Sequence, residues 1–247
     1  MPEFNLLEDA GLPQIKKRER NSSITDDDRK TAERLDFSFY DGDRDKGYGG
    51  YFYDGRWRNV AQNAIDWYGL DDRSRVLIDR CHKGFLVHDL IELIPGITVY
   101  GIHPSSYAIN HAMEGFGSWA RKNIPRENRD PRIIDLETRD KIAPFLLETS
   151  SAQMPFKDGF FDTVISIENA CAYHPDQCKK VIEEIVRVTK DEGENSYIQN
   201  DSWRNPAEEK KLRQWTLLCK TFLDMPGWTE LFRQTNYQGD WGYTIIT

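Results

Sequence analysis

The chain has little cysteine, no long apolar run and no cationic excess. Four cysteines in 247 residues, Cys81, Cys171, Cys178 and Cys219, show no CxxC spacing. Such usage fits reduced, buried thiols in a cytoplasmic protein and argues against a disulfide framework. No stretch approaches the ~18 consecutive apolar residues of a membrane span, and the opening "MPEFNLLEDAGLPQ" lacks the apolar core of a secretory signal. Lys and Arg number 33 against 41 Asp and Glu, a net charge of -8. Broad nucleic-acid binding needs cations to neutralise phosphates, so this balance speaks against it. The one basic cluster, Lys16 to Arg20, is short. The partner expected is a small-molecule substrate, with no nucleic acid and no membrane.

A more local scarcity concerns glycine. The stretch "RVLIDRCHKGFLVHDL", Arg75 to Leu90, runs from an apolar strand through a turn into an amphipathic segment. That is the shape of a nucleotide-binding strand–turn–helix, whose turn normally carries several glycines. Only Gly84 is present. Arg80, Cys81, His82 and Lys83 stand where bare backbone is expected.

What the chain does have is an alternation of strands and helices. Arg75–Asp79 reads as a doubly covered parallel strand and Gly84–Ile94 as a helix closed by Pro95-Gly96. Ile97–Ile102 is a second strand, and a helix follows from Ser105. Strand, helix, strand and helix within some 40 residues make a βαβα unit and imply a parallel sheet. Further strands are expected at 144–150, 162–167, 195–201 and near the end at "GYTII". Helices are expected over "VAQNAIDWYGL", over 176–190, from Pro206 to Leu223 and over "GWTELFRQTNY". Trp215, Phe222, Trp228 and Phe232 fall at helical spacing and read as core or interface. Residues 1–35 read as a flexible arm with one helix, and 114–143 as an insertion carrying a short helix. Residues 36–247 form the domain. Within it, 36–60 holds eight aromatics, from Phe37 to Trp57, interleaved with Gly and Asp. This segment is either a loop clamped by aromatic packing or a lid over a ligand.

"RVLIDRCHKGFLVHDL", "SSAQMPFKDGFFDTVISIENA" and the closing stretch from Ser196 together resemble class I S-adenosylmethionine-dependent methyltransferases. With "GYGGYFYDGRW", the last stretch is similar to a bacterial small-molecule subgroup. The resemblance covers roughly Tyr48 to the end. It implies a Rossmann-like α/β fold with a mostly parallel sheet flanked by helices, and S-adenosylmethionine as cofactor. Carried over by position, the cofactor residues are Asp79, Cys81, His82, Gly84, His103, Ala152, Gln153 and Glu168. Three anchors depart from the family pattern. Arg80 and His82 replace small residues of a DxGxGxG-like turn. His103 stands at the ribose-binding acid, where a neutral imidazole accepts only one hydrogen bond. Ala152 stands at the Asp that contacts the adenine amine. If each lost contact is worth about 1–2 kcal/mol, binding weakens by roughly a hundredfold to several thousandfold.

Glu168, His174 and Tyr53 are the candidate catalytic residues. Glu168 suits a general base or the orientation of a substrate amine, and His174 suits proton acceptance near neutrality. Asp201 and Trp203 complete a pocket wall, with Trp57 and Tyr53 closing it from the N-terminal side. A His82/His103/carboxylate metal site has no supporting spacing, so no metal is expected. Three readings stay open: a small-metabolite methyltransferase with an atypical cofactor site, a catalytically inactive relative partnering another enzyme, and a repurposed enzyme doing metal- or acid/base-assisted chemistry without methyl transfer. A homo-oligomer and a paralogous partner are both compatible with the sequence.

Overall fold

The computed structural model describes residues 5–7, 24–113 and 141–247. Among them a six-stranded sheet runs in the order β3-β2-β1-β4-β5-β6. Its strands are β1 Arg75–Asp79, β2 Thr98–His103, β3 Leu146–Glu148, β4 Thr163–Ile167, β5 Ser196–Ser202 and β6 Asp240–Ile245. Every neighbouring pair is parallel. The expected Rossmann-like α/β architecture is therefore present, with helices on both faces.

The strand period of two explains how one sequence feeds two cores. In β1, Val76 and Ile78 join the cluster of Val60, Ala64, Leu86 and Leu90, while Leu77 joins that of Ile182, Ile185 and Trp228 on the opposite face. The first cluster belongs to α3 (Trp57–Tyr68) and α4 (Phe85–Leu93). The second belongs to α6 (Pro175–Val188) and α8 (Met225–Gln234). In α6, Val181, Ile182, Ile185 and Val188 form a buried stripe at helical spacing, and Pro175 occupies the first turn, where its missing N–H costs nothing.

Three short helices complete the described set: α1 (Asp26–Glu33), α2 (Phe37–Tyr40) and α5 (Ser106–Asn110), with α7 (Pro206–Trp215) the longer one after β5. α7 stops eight residues before the expected end at Leu223. The reason lies in the next segment: the backbone N–H groups of Lys220 and Thr221 donate to the Cys171 carbonyl at 2.7 and 3.0 Å instead of continuing the helix. Trp215 and Phe222 therefore lie on different elements, while Trp228 and Phe232 are buried in the core. Of residues 1–35, two parts are described. Leu6 is fully buried, its N–H donating to the Tyr197 hydroxyl at 3.1 Å, and α1 begins in a capping box between Thr25 and Asp28. The expected insertion falls almost wholly outside the described residues; its last three residues, 141–143, end one helix and open a 3₁₀ turn at Ala143–Phe145.

The strand order reverses between β1 and β4, so their carboxyl ends flank the crevice where ligands of such sheets bind. The aromatic segment 36–53 lies over that crevice. Gly47 permits its close turn: a Cβ there would sit 1.9 Å from the Phe39 carbonyl oxygen.

Candidate functional site

β1 ends in Asp79, which is fully buried and held by three donors. Ser166 Oγ donates at 2.7 Å, Asn169 Nδ2 at 2.6 Å, and Ser151 Oγ through a short bond. Burial raises the Asp79 carboxyl above its ordinary value, and these donors counter part of the rise. Asn169 also donates to Ser151 at 2.9 Å, so the end of β4 and the loop after β3 are tied together through one carboxylate.

The turn after Asp79 keeps an unusual backbone. Arg80, His82 and Gly84 have φ of +60°, +51° and +78°, three left-handed residues at alternate positions. For the two non-glycines this conformation costs on the order of 1–2 kcal/mol each. Gly84 is needed for space as well, since a Cβ would meet Ile142 Cδ1 at 2.8 Å. The path of a glycine-rich turn is thus retained with side chains attached. The buried Arg80 guanidinium lies 3.4 Å from Asn169 Oδ1.

His82 and His103 come together beneath the aromatic segment, their rings 4.9 Å apart. The Tyr40 hydroxyl lies 3.0 Å from His82 Nδ1 and 3.1 Å from His103 Nε2. The proton arrangement follows from the partners. The Ser105 N–H donates to His103 Nδ1 at 3.0 Å, so that nitrogen is an acceptor. A neutral His103 then carries its proton on Nε2 and donates to Tyr40, whose own O–H donates to His82 Nδ1. Burial, with the Arg80 charge nearby, holds the His82 imidazole well below its ordinary value. Burial holds His103 down in the same way, together with His82 and Arg80. Tyr40 is itself fully buried, and its hydroxyl is pushed well above the ordinary phenol value by that burial. Tyr48 and Tyr107 stack on it, with ring centroids 5.9 Å away in each case.

A second tie fixes the same segment. Lys83 is fully buried and donates to Asp41 Oδ2 at 2.8 Å. Tyr107 donates to the same oxygen at 2.7 Å and the Tyr51 N–H to Oδ1 at 3.1 Å. Burial tends to raise the Asp41 carboxyl, but the bonds from Lys83, Tyr107 and the Tyr51 N–H outweigh it and leave it below the usual range.

Beside this closed region is a cavity of about 110 Å³. Arg44, Arg80, His82, Glu168, Asp201, Cys171 and Cys219 are among the residues that line it. Glu168 has φ of +53°, which turns the chain sharply at the end of β4, and Thr244 Oγ1 lies 3.4 Å from its Oε1. The Cys171 thiol is lowered, first by the hydrogen bond from Cys219, and Cys219, as that donor, is raised.

Residues 81–195 match the family described as a methyltransferase domain. That match spans 115 of the 247 residues. Among solved structures, the [4+2]-cyclase SpnF is similar at 15% identity and a TM-score of 0.51, covering 80% of this chain and 62% of that one. A putative methyltransferase bound to the Trm112 methyltransferase activator from Haloferax volcanii is 17% identical, with a TM-score of 0.48 and coverage of 72% and 67%. A putative methyltransferase from Bacillus halodurans is 14% identical, with a TM-score of 0.47 and coverage of 71% and 67%. The chain thus spans about two thirds of the length of these neighbours, and the likeness is one of fold. No curated protein matches the sequence.

The candidate residues divide. Asp79, Cys81, His82, Gly84, His103 and Glu168 gather at the carboxyl ends of β1, β2 and β4. The cavity is lined by His82 and Glu168 and by neither Ala152 nor Gln153. Ala152 packs against the second core cluster and Gln153 is exposed. Tyr53 is placed away from the cavity: it is buried in the first core cluster and donates to Asp89 Oδ1 at 2.5 Å. His174 is exposed at the N-cap of α6, where Pro175 fixes the helix start, and does not line the cavity either. Asp201 does line it; Trp203 and Trp57 do not. Sequence reasoning missed Tyr40, Ser151, Ser166, Asn169 and the Lys83–Asp41 pair. Only Tyr40 carried a signal, as one aromatic among eight. No helix among the described residues is long and apolar enough to cross a membrane.

Proposed function

We propose that this methyltransferase-like protein binds a small polar metabolite in the cavity at the ends of β4 and β5, and that its own side chains fill the cradle where the family holds S-adenosylmethionine. The observation that carries this reading is the Tyr40 hydroxyl seated between His82 and His103, with all three side chains buried or nearly so. A nucleoside held by the first turn and the end of β2 needs that same space. The polar groups that would grip it are engaged elsewhere: Asp79 by Ser151, Ser166 and Asn169, and His103 by Tyr40 and Ser105. Ala152 offers a methyl group in place of an acceptor. The residues present therefore do not fit the cofactor.

Charge in the cavity supports the choice of ligand. Arg44, Arg80, Glu168 and Asp201 all line this cavity, whose volume of about 110 Å³ is below the ~300 Å³ at which drug-sized pockets begin. This suits a compact zwitterion or an amine-bearing polyol. In this reading Glu168 orients the ligand's amine and Arg80 its anionic group, so the protein serves as a metabolite-binding relative of the enzymes, working alone or beside a catalytic partner.

A second reading keeps methyl transfer and has the aromatic segment swing away to admit the cofactor. The retained Asp79 and the glycine-like path of residues 80–84 favour it. The triple variant Tyr40→Ala, His103→Asp, Ala152→Asp separates the two. If the cradle is filled by its own residues, this variant gains S-adenosylmethionine affinity of tenfold or more over the wild type, an effect of about 1.4 kcal/mol or larger. Equal affinity in both proteins would mean that these positions do not form the cradle.

A further inference from the structure

Three chain segments that are remote in sequence bring sulfur and oxygen donors together on one wall of the cavity. Cys171 lies in the short 3₁₀ turn Ala170–Ala172 after β4, Asp201 near the end of β5, and Cys219 in the segment after α7. Their two sulfurs and one carboxylate oxygen all lie within 4.8 Å of one another. Among the described residues this is the one group of three or more His, Cys, Asp or Glu donors so arranged. All three line the cavity, so the cluster is closed by protein on one side and open on the other.

We propose that Cys171, Cys219 and Asp201 form a binding site for a zinc-class divalent cation, with a fourth coordination position facing the cavity. Zinc takes tetrahedral sites of Cys, His and carboxylate ligands, with bonds of about 2.3 Å to sulfur and about 2.0 Å to oxygen. Ligands at those bond lengths are roughly 3.5 Å apart around a tetrahedral centre, so closure needs side-chain movements of about an ångström. Two thiolates also select against magnesium and calcium, which prefer all-oxygen sites. The charge balance is simple. The metal displaces the two thiol protons, and two thiolates with one carboxylate leave the filled site at a net charge of -1 before its fourth ligand. That ligand is water or a donor atom of whatever the cavity holds.

The surroundings support the site independently. The Cys171 N–H donates to Asn200 Oδ1 at 3.2 Å. Such outer bonds fix first ligands and tune their basicity. The Asn200 Nδ2 group is buried and has no hydrogen-bond partner among the described residues, leaving a donor beside this cluster. The Cys171 carbonyl accepts from Lys220 and Thr221, so the two cysteine segments are already held in register by backbone bonds. A metal here would tie the segment after α7 to the sheet. Leu217 on that segment packs in the same cluster as Phe39 and Tyr40.

The test uses the full chain, reduced and stripped by a chelator, then titrated with Zn²⁺ against a chromophoric competitor and separately with Co²⁺. The expected result is one equivalent of metal per chain, release of about two protons, and the intense sulfur-to-cobalt charge-transfer absorption that only thiolate ligands give. Cys171→Ser and Cys219→Ser should each weaken zinc binding by more than about a hundredfold, and Asp201→Asn by at least about tenfold. Cys178→Ser, in α6 and outside the cluster, should leave it unchanged. If a cysteine variant fails to fold, the wild-type cobalt spectrum still decides. Absence of the charge-transfer band, binding that survives loss of both cysteines, or a Cys171–Cys219 disulfide as the resting state of the purified protein would each overturn the site. None of these readouts depends on S-adenosylmethionine, so the metal site and the filled cradle stand or fall separately.

Discussion

Tyr40 and His103 are 63 positions apart in sequence, and the hydroxyl of one lies 3.1 Å from Nε2 of the other. The contact joins the aromatic segment to the end of β2 and closes the crevice from above. It also belongs to a directed chain of hydrogen bonds, His103 to Tyr40 to His82, set by the Ser105 N–H at its origin.

Removing the hydroxyl tests that chain. Tyr40→Phe keeps the ring and its stacking on Tyr48 and Tyr107 but leaves His82 Nδ1 and His103 Nε2 without their partner. An unsatisfied buried polar group costs about 1–3 kcal/mol. The variant is expected to fold and to lose stability in that range by urea denaturation at pH 7. No measurable loss would mean that the hydroxyl does not bridge the two rings.

The same pair gives the protein an acid limit. Both imidazoles are held below their ordinary value of about 6.5 in the folded state, whereas unfolded histidines titrate near it. The unfolded chain therefore binds more protons, and stability falls as the pH drops below about 6.5. Each imidazole contributes a slope of up to about 1.4 kcal/mol per pH unit while it stays neutral in the fold. Asp41, also lowered, adds in the same direction at more acid pH, and Asp79, raised, opposes it there. Unfolding free energy measured from pH 7 to pH 5 should show this loss, and His103→Gln should reduce the slope. A flat profile would contradict the burial of neutral imidazoles.

The Lys83–Asp41 pair anchors the aromatic segment from the other side. Lys83→Met strands a carboxylate whose side chain is 9% exposed, although Tyr107 and the Tyr51 N–H still hold it. Breaking a buried pair on one side costs about 3–5 kcal/mol, and those remaining donors place this case at the lower end. The double variant Lys83→Met, Asp41→Asn should recover part of the loss. Proteolysis should cut the 36–53 segment sooner in the single variant than in the wild type. Equal stability of wild type and single variant would show that the pair does not anchor the segment.

Much of this architecture was legible in the sequence. Val76-Leu77-Ile78 has to be covered on both faces, and the alternation of such runs with amphipathic helices allows little besides a parallel sheet. The missing glycines of the first turn were visible as well. The consequence at Tyr40 was not, because the contact depends on how the 36–53 segment folds back over the sheet, and its aromatics are interchangeable to a pattern search. Tyr53 illustrates the same limit. Its position in the aromatic stretch pointed to the ligand, but Asp89 on α4 supplies a buried partner that draws it into the core. The end of α7 depended on the Cys171 carbonyl, a tertiary acceptor with no trace in local propensity. Cys171, Asp201 and Cys219 share no motif spacing, and only the ordering of β4, β5 and α7 in space brings them together.

Calorimetric titration of the wild-type protein with S-adenosylmethionine tests most directly whether the chain's own residues fill the nucleoside cradle. No heat of binding is expected up to about 1 mM ligand, where a Kd of that size corresponds to only about -4 kcal/mol. Saturable binding in the micromolar range, one ligand per chain, would contradict it.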